Sequence, residues 1–526
     1  MLRSAYPDVE IPDASVFDYL FGGLADDDLD RIAIVDGTSG AETTYRQLVT
    51  QIGLFAGALA ARGVRVGTTV GVLCPNVPAF ATVFHGILRA GGTATTINSL
   101  YTADEITGQL EDAGAEWLVT VSPLLAGAKE AAARRGIADD HLIVLDGADG
   151  HPGLRDLLSE GHSAPDVSFD PATHLAVLPY SSGTTGRPKG VMLTHRNLVA
   201  NVAQCRPMLS VDETDRVLAV LPFFHIYGMT VLLNFALRQR AGLVTMPRFD
   251  LLEFLRIIAE HRTSWVFVAP PIAVALAKHP AVEQYDLSAV RVIFSGAAPL
   301  DGALAAAVAA RLGCEVVQGY GMTETSPAVN LIPAERTDID KSSIGPLVPG
   351  TEARLVDADT GTDVEVPSQG VSAPGELWVR GPQVMTGYLN RPESTAEMLD
   401  ADGWLHTGDI ATVTADGIFR IVDRLKELIK YKGYQVAPAV LEAVLLEHPQ
   451  IADAAVIGAS DEDGQEVPKA FVVSQADARL SADEVMDFVA SRVAPHEKVR
   501  QVEFIDAIPK SASGKILRKD LRARTA

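Results

Sequence analysis

The sequence predicts an α/β protein: a large N-terminal domain of two stacked, mostly parallel sheets with a small β-barrel-like subdomain, followed by a small α+β domain. Three observations lead there. Short apolar strands alternate with amphipathic helices from about Arg31 to Val121, and again from Arg216 to Leu312. That rhythm implies parallel pairing under covering helices. From Gly345 to about Val422 the chain turns rich in Gly, Pro, Asp and Thr, with short alternating segments that suit an antiparallel or barrel-like unit. At Asp423-Arg424-Leu425-Lys426-Glu427 the charge balance changes, and about a hundred residues follow, enough for a domain of their own.

In chain order, Thr44-Tyr45-Arg46-Gln47 reads as a capping box, with Leu48, Ile52, Phe55 and Leu59 on one helical face. Val70 to Leu73 is a strand, Val77 to Arg89 a helix closed by Gly91-Gly92, and Thr102 to Glu105 a second capping box. Trp117 to Val121 is another strand. Strands follow at Arg216 to Leu221, Leu243 to Met246, Trp265 to Val268 and Val290 to Phe294. Helices run towards Arg238, from Leu251 to Glu260, and over the Ala-rich stretch Leu300 to Leu312. Glu376 to Arg380 alternates as a strand should, and Thr360 to Pro374 reads as an exposed loop. With the boundary at Lys426, the domains are 1–425 and 426–526. The second holds a helix near Ala439 to Leu446, strands near Ala454 to Ile457 and Ala470 to Val473, a helix capped by Ser481 and Glu484, and a strand Gln501 to Ile505.

The 526 residues carry 47% hydrophobic and 21% charged side chains, a globular balance, with a formal net charge of -23. Such acidity argues against a nucleic-acid partner or an anionic membrane. Local cations must therefore hold any phosphate. Cys74, Cys205 and Cys314 are too few and too scattered for a disulfide framework or a zinc site, and suit a reducing cytoplasm as buried small apolar groups. No apolar run is long enough for a membrane span; the longest candidate is broken by Pro270-Pro271. Asp8 and Glu10 stand where a signal peptide needs its apolar core.

Chemistry concentrates in seven stretches. Tyr180-Ser181-Ser182-Gly183-Thr184-Thr185-Gly186-Arg187-Pro188-Lys189-Gly190 follows the apolar run Leu175 to Leu178. Its glycines allow close backbone approach, and its hydroxyls and Lys189 suit phosphate oxygens. It is not a Walker A loop, because Pro188 and Val191 stand where the second glycine belongs. Pro222-Phe223-Phe224-His225-Ile226-Tyr227-Gly228 sets a histidine among aromatics, which alone reads as a core side chain. Ser295-Gly296-Ala297-Ala298-Pro299 and Gln318-Gly319-Tyr320-Gly321-Met322-Thr323-Glu324 follow strands and leave room for a flat ring. Tyr320 can stack on such a ring, and Glu324 suits Mg²⁺. Asp409, on the turn of Gly403 to Asp409, can accept two hydrogen bonds from a diol. Lys426 to Gln435 is basic, as solvated faces often are, and Pro509-Lys510-Ser511-Ala512-Ser513-Gly514-Lys515 presents one lysine on a flexible loop.

In that order, the phosphate loop, Gly-Tyr-Gly-Met-Thr-Glu, Thr-Gly-Asp, Lys-Tyr-Lys-Gly-Tyr-Gln and Pro-Lys-Ser-Ala-Ser-Gly-Lys resemble the adenylate-forming acyl-CoA synthetase superfamily, closest to its 4-coumarate–CoA ligase branch. The resemblance covers nearly the whole chain. It implies ATP, Mg²⁺ and coenzyme A acting on a small-molecule carboxylic acid, in phenylpropanoid metabolism. By position, Ser181, Ser182, Gly183, Thr184, Thr185, Gly186 and Lys189 would hold the β- and γ-phosphates. Gln318, Gly319, Tyr320 and Thr323 would flank the nucleotide, with Glu324 on the metal. Asp409 would hold the ribose, supported by Arg424. Lys430 and Gln435 would act near the α-phosphate, Lys515 would be the adenylation lysine, and His225 would border the carboxylate and thiol tunnel. Arg248, Lys432 and Gly433 would contact CoA, and Lys426 would be the hinge of a mobile C-terminal domain.

Tyr227, Phe294, Ala297, Ala298, Pro327, Ala328 and Leu331 fall at or beside the acyl-pocket positions of that branch. Two positions depart from it: Val231 stands where many plant-like members carry serine, and Ala297 where they often carry glycine. Cinnamate-type acids are the first reading. Medium-chain fatty acids are the second, and a luciferase-like adenylating oxygenase shares every motif above. A non-catalytic nucleotide-binding protein would not need Lys430, Gln435 and Lys515 together. The setting of Lys515 also resembles the acetylation site of related bacterial synthetases, which implies a lysine acetyltransferase as partner.

Overall fold

The computed structural model describes residues 1–181, 188–431, 434–461, 465–475, 478–511 and 514–525. Two eight-stranded sheets form its large part. In the first, Thr69–Leu73 lies centrally between Thr93–Thr96 and Trp117–Thr120, all parallel. In the second, a parallel run passes from Glu315–Gly321 through Val292–Ser295, Trp265–Val268, Arg216–Ala219 and Gly242–Thr245 to Ile32–Asp36. One large apolar core binds the sheets, with Tyr45, Phe55, Phe80, Phe84, Trp265 and Phe267 fully buried.

The expected capping boxes form. Thr44 Oγ1 accepts the Gln47 N–H and Gln47 Oε1 accepts the Thr44 N–H; Thr102 and Glu105 repeat the arrangement. Each pair satisfies two donors that a helix start otherwise leaves open. The stretch running towards Arg238 differs from a plain helix: Tyr227–Asn234 is wound as a π-helix before Phe235–Arg238.

The Gly/Pro-rich segment forms a five-stranded antiparallel sheet of Glu352–Val356, Gly375–Arg380, Leu405–Val413 and Phe419–Arg424, which also recruits Leu2–Arg3 from the far end of the chain. Beyond it, Ile429–Tyr431 and Tyr434–Val436 pair as a hairpin. Strands Ile451–Ser460, Glu466–Ser474 and Gln501–Phe504 make a three-stranded sheet with helices Pro438–Leu446, Ala482–Ala490 and Arg518–Thr525. This part has its own core around Leu441, Val456, Val472 and Val485. No helix among the described residues is long and apolar enough to cross a membrane.

Candidate active site

All three large sheets converge on Tyr320, Asp409 and Glu324. Asp409 accepts the Tyr320 hydroxyl hydrogen at 2.5 Å and lies 3.1 Å from the Arg424 guanidinium. Strand register sets the second contact, because Asp409 and Arg424 face each other across their ladder. Two strong donors make this carboxylate tolerable at 3% exposure. Burial, then the Asp409 charge, push the Tyr320 phenol well above its ordinary value, so it stays a donor. The turn before Asp409 is braced by Glu376, which accepts the Gly408 N–H at 3.0 Å.

Glu324 sits on the short turn Thr323–Thr325 and is nearly buried. It accepts the Tyr388 hydroxyl hydrogen at 2.7 Å. Lys189 Nζ lies 4.9 Å above the centre of the same Tyr388 ring. Lys189 begins the strand that leaves the Ser/Gly/Thr loop, and that strand pairs back on Tyr180–Ser181. Asp112 clasps the loop's base by accepting from the Tyr180 hydroxyl at 2.9 Å and from Arg391 at 3.2 Å.

Lys515 reaches this centre from the small core. Its carbonyl accepts the Ser511 N–H at 2.8 Å and its own N–H donates to Ser511 Oγ at 3.2 Å, which closes a tight turn. Gly514 in that turn has φ +84°, and a Cβ there would come within 3.0 Å of the Ala269 Cβ. A glycine is what allows the turn to lie against the large part of the chain. The Lys515 ammonium then sits in the field of Arg424, Asp409 and Glu324. Burial first, then the Arg424 charge, lower its pKa to about 8. His225 feels the Lys515 charge in turn. Burial first, then that cation, lower its pKa to about 4. Its Nδ1 accepts the Tyr227 N–H at 3.3 Å, which leaves the proton on Nε2.

Tyr227, expected beside the acyl group, is the first residue of the π-helix. Its ring lies on Gly296, where a Cβ would meet it at 2.7 Å. Its hydroxyl is 3.5 Å from the Phe294 carbonyl, and Phe267 stands edge-on to it. Pro327, Ala328 and Leu331 are buried on and beside the strand Ala328–Leu331. Ala298 is half-buried, but Ala297 is exposed and held at φ +71°, a left-handed conformation costly for any residue with a Cβ.

The remaining expected residues lie around and beyond this centre. The Gln318 side chain donates to the carbonyls of Leu300 at 2.9 Å and Lys341 at 2.6 Å, and accepts from the Leu300 N–H at 3.0 Å. Three hydrogen bonds to backbone make it a brace for the end of the Ser295-to-Pro299 loop. Gly319 packs beneath Tyr320, against the Asn330 carbonyl and Phe294. The Lys426, Lys430 and Arg248 side chains are exposed. The Lys430 N–H is held by Glu466 at 2.9 Å, and Gln435 lies opposite Lys430 in the hairpin register. Arg248 follows the strand Gly242–Thr245 on an exposed turn. Ser182, Gly183, Thr184, Thr185, Gly186, Lys432 and Gly433 lie outside the described residues. Sequence reasoning passed over Tyr388, Glu376 and Asp112. The turn-rich stretch Gly387-Tyr388-Leu389-Asn390-Arg391, an aromatic and a cation side by side, was the available signal for the first.

Two parallel sheets, an antiparallel unit and a small α+β core that delivers one lysine to their junction define an adenylate-forming architecture. The AMP-binding enzyme family matches residues 24–389, and the AMP-binding enzyme C-terminal domain matches residues 440–515. The chain is 42% identical to 4-coumarate–CoA ligase 5 of Oryza sativa subsp. japonica, over 100% of this chain and 97% of that protein. It therefore belongs to the AMP-binding enzyme family, in the 4-coumarate–CoA ligase branch. Among solved structures, ATP-bound MatB from Rhodopseudomonas palustris shares 29% identity and superposes with a TM-score of 0.87, over 98% of this chain and 99% of that one. The apo form of MatB gives 0.78 over the same shares. The anthranilate CoA ligase AuaEII with anthranoyl-AMP shares 27% identity and gives 0.87, over 100% of this chain and 99% of that one.

Proposed function

We propose that this chain is an AMP-forming acid–thiol ligase that joins a 4-coumarate- or cinnamate-type acid to coenzyme A at the expense of ATP. One observation carries the reading: the turn that presents Lys515, from the small core, rests on Ala269 of the large one, and Lys515 lies within the electrostatic reach of Asp409, Arg424 and Glu324. The relatives' shared name supports the ligase reading over an oxygenase. The Tyr227 ring on Gly296, with Phe267 edge-on to it and Phe294 against Phe267, supports an aromatic acyl group over an aliphatic one.

In this reading a carboxylate oxygen attacks the α-phosphorus of ATP, and pyrophosphate leaves. Lys515, mostly protonated at neutral pH, neutralises the charge that builds on the phosphate oxygens. Asp409, held by Tyr320 and Arg424, receives the ribose hydroxyls. Lys189 and the loop before it hold the outer phosphates, and Lys430 and Gln435 approach the α-phosphate. His225, neutral with its proton on Nε2, donates towards the carboxylate without adding a cation beside Lys515. Magnesium fits Glu324, whose buried carboxylate keeps an oxygen beyond the Tyr388 contact; it would screen phosphate charge.

The thiol of CoA then attacks the acyl carbon and AMP leaves. Lys515 must withdraw for that step, so the small domain, 426–526, turns on Lys426 and brings Lys432 and Gly433 forward, with Arg248 on the CoA path. The enzyme works in the cytoplasm, in phenylpropanoid-type metabolism. Lysine acetylation of Lys515 would remove its charge.

Pyrophosphate release and thioester formation, measured over a panel of aromatic and aliphatic acids, test the proposal. Cinnamate-type acids should give CoA thioester with the highest kcat/KM. Lys515→Ala should lose adenylate formation by several powers of ten yet convert synthetic acyl-adenylate and CoA at a near-normal rate. Equal losses in both half-reactions would remove the two-state assignment of Lys515.

A further inference from the structure

We infer that the helix Pro438–Leu446 is a bipolar latch, clamped at both ends by the large domain, and that Asp423 and Lys278 are positioning residues for Lys515. The inference rests on the two-step reading above. The helix opens with Pro438, which has no N–H, and its flanking Ala437 supplies no side-chain cap. The first free donor is therefore the Ala439 N–H, and Asp423 Oδ2 accepts it at 2.9 Å. Asp423 lies on the strand Phe419–Arg424, on the large-domain side of Lys426, where register with Ile410 fixes it. It is 5% exposed, so its charge acts with little screening.

At the other end, Leu446 is the last helical residue, and its carbonyl has no intrahelical donor by position. Lys278 Nζ stands 3.5 Å from that carbonyl. Lys278 ends the helix Pro270–Lys278, whose first turn is the surface that Gly514 rests on. One large-domain helix thus holds the Lys515 loop at its start and the latch helix at its finish. The signs match the helix dipole: an anion at the N-terminus and a cation at the C-terminus. A turn about Lys426 separates both pairs together, so the latch favours the orientation in which Lys515 faces Asp409 and is released for the thiol step.

Lys278→Glu puts a like charge on the negative end of the helix and leaves the buried centre untouched, and Lys278→Arg keeps the cation. Hydrogen exchange of the 438–446 segment reads the latch whether or not the wild type turns over any acid on the panel. For Lys278→Glu that exchange should quicken at least about threefold, and acyl-adenylate formation should fall about three- to tenfold. Thioester formation from synthetic adenylate should hold or rise, the melting temperature should stay put, and Lys278→Arg should restore the wild-type pattern. Unchanged exchange in the segment would overturn the latch, and so would equal loss of both half-reactions. An inactive wild type with the expected exchange change would instead remove the ligase reading and leave the latch standing.

Discussion

Lys515 carries a sign that pH can read. With its pKa lowered to about 8, it is charged at pH 7 and neutral well above pH 8. The kcat/KM for adenylate formation, which reports the free enzyme, should therefore fall as pH rises through about 8. The thioester half-reaction should lack that limb if Lys515 withdraws for that step as proposed. His225, with a pKa of about 4, contributes no inflection between pH 5 and 8 in either half-reaction. Ala297 offers a test of strain. At φ +71°, Ala297→Gly should stabilise the protein by on the order of 1 kcal/mol, seen as a higher melting temperature. A bulky residue at Ala297 would add strain to any pocket effect, so it is a poor probe of acyl size.

At the scale of elements, strand ends deliver side chains to one point, and loops hold them there. Leu405–Val413 and Phe419–Arg424 set Asp409 beside Arg424 by register alone. Tyr388, at the edge of the first sheet, orients Glu324 from the second. Tyr388→Phe removes that donor from a nearly buried carboxylate and should cost about 1–3 kcal/mol in stability. If Glu324 holds the metal, the same change raises KM for Mg·ATP several-fold and spares the reaction of synthetic adenylate with CoA. A steady-state titration with ATP at saturating magnesium checks this. The π-helix Tyr227–Asn234 belongs to this scale too: its wide turn sets the Tyr227 ring on Gly296.

For the whole molecule, the arrangement described is the one in which Lys515 is inside. Lys426 is exposed between the two cores. Lys426→Pro restricts φ at the proposed hinge. Adenylate formation should stay within a few-fold of wild type while thioester formation from synthetic adenylate drops by more than tenfold, measured as paired half-reactions. If both half-reactions survive Lys426→Pro, the rotation axis lies elsewhere in the chain.

The sequence by itself determined the elements whose signals are local. The capping boxes at Thr44, Thr102 and Ser481 are hydrogen bonds between residues three apart, and period-two or helical apolar patterns mark the sheets and their covers. It also determined which motifs bear charge and in what order they come. What only the tertiary structure decided are contacts across long separations. Asp409 meets Tyr320 across 89 residues, and Glu324 meets Tyr388 across 64. The same folding tied the Gln318 side chain to the Leu300 and Lys341 backbone, placed Ala297 in a left-handed turn, and brought Lys515 under Arg424's field. Motif residues say which chemistry is available. Partner, burial and protonation state are fixed only when distant strands pack, because hydrogen bonding and desolvation depend on neighbours that no local pattern encodes.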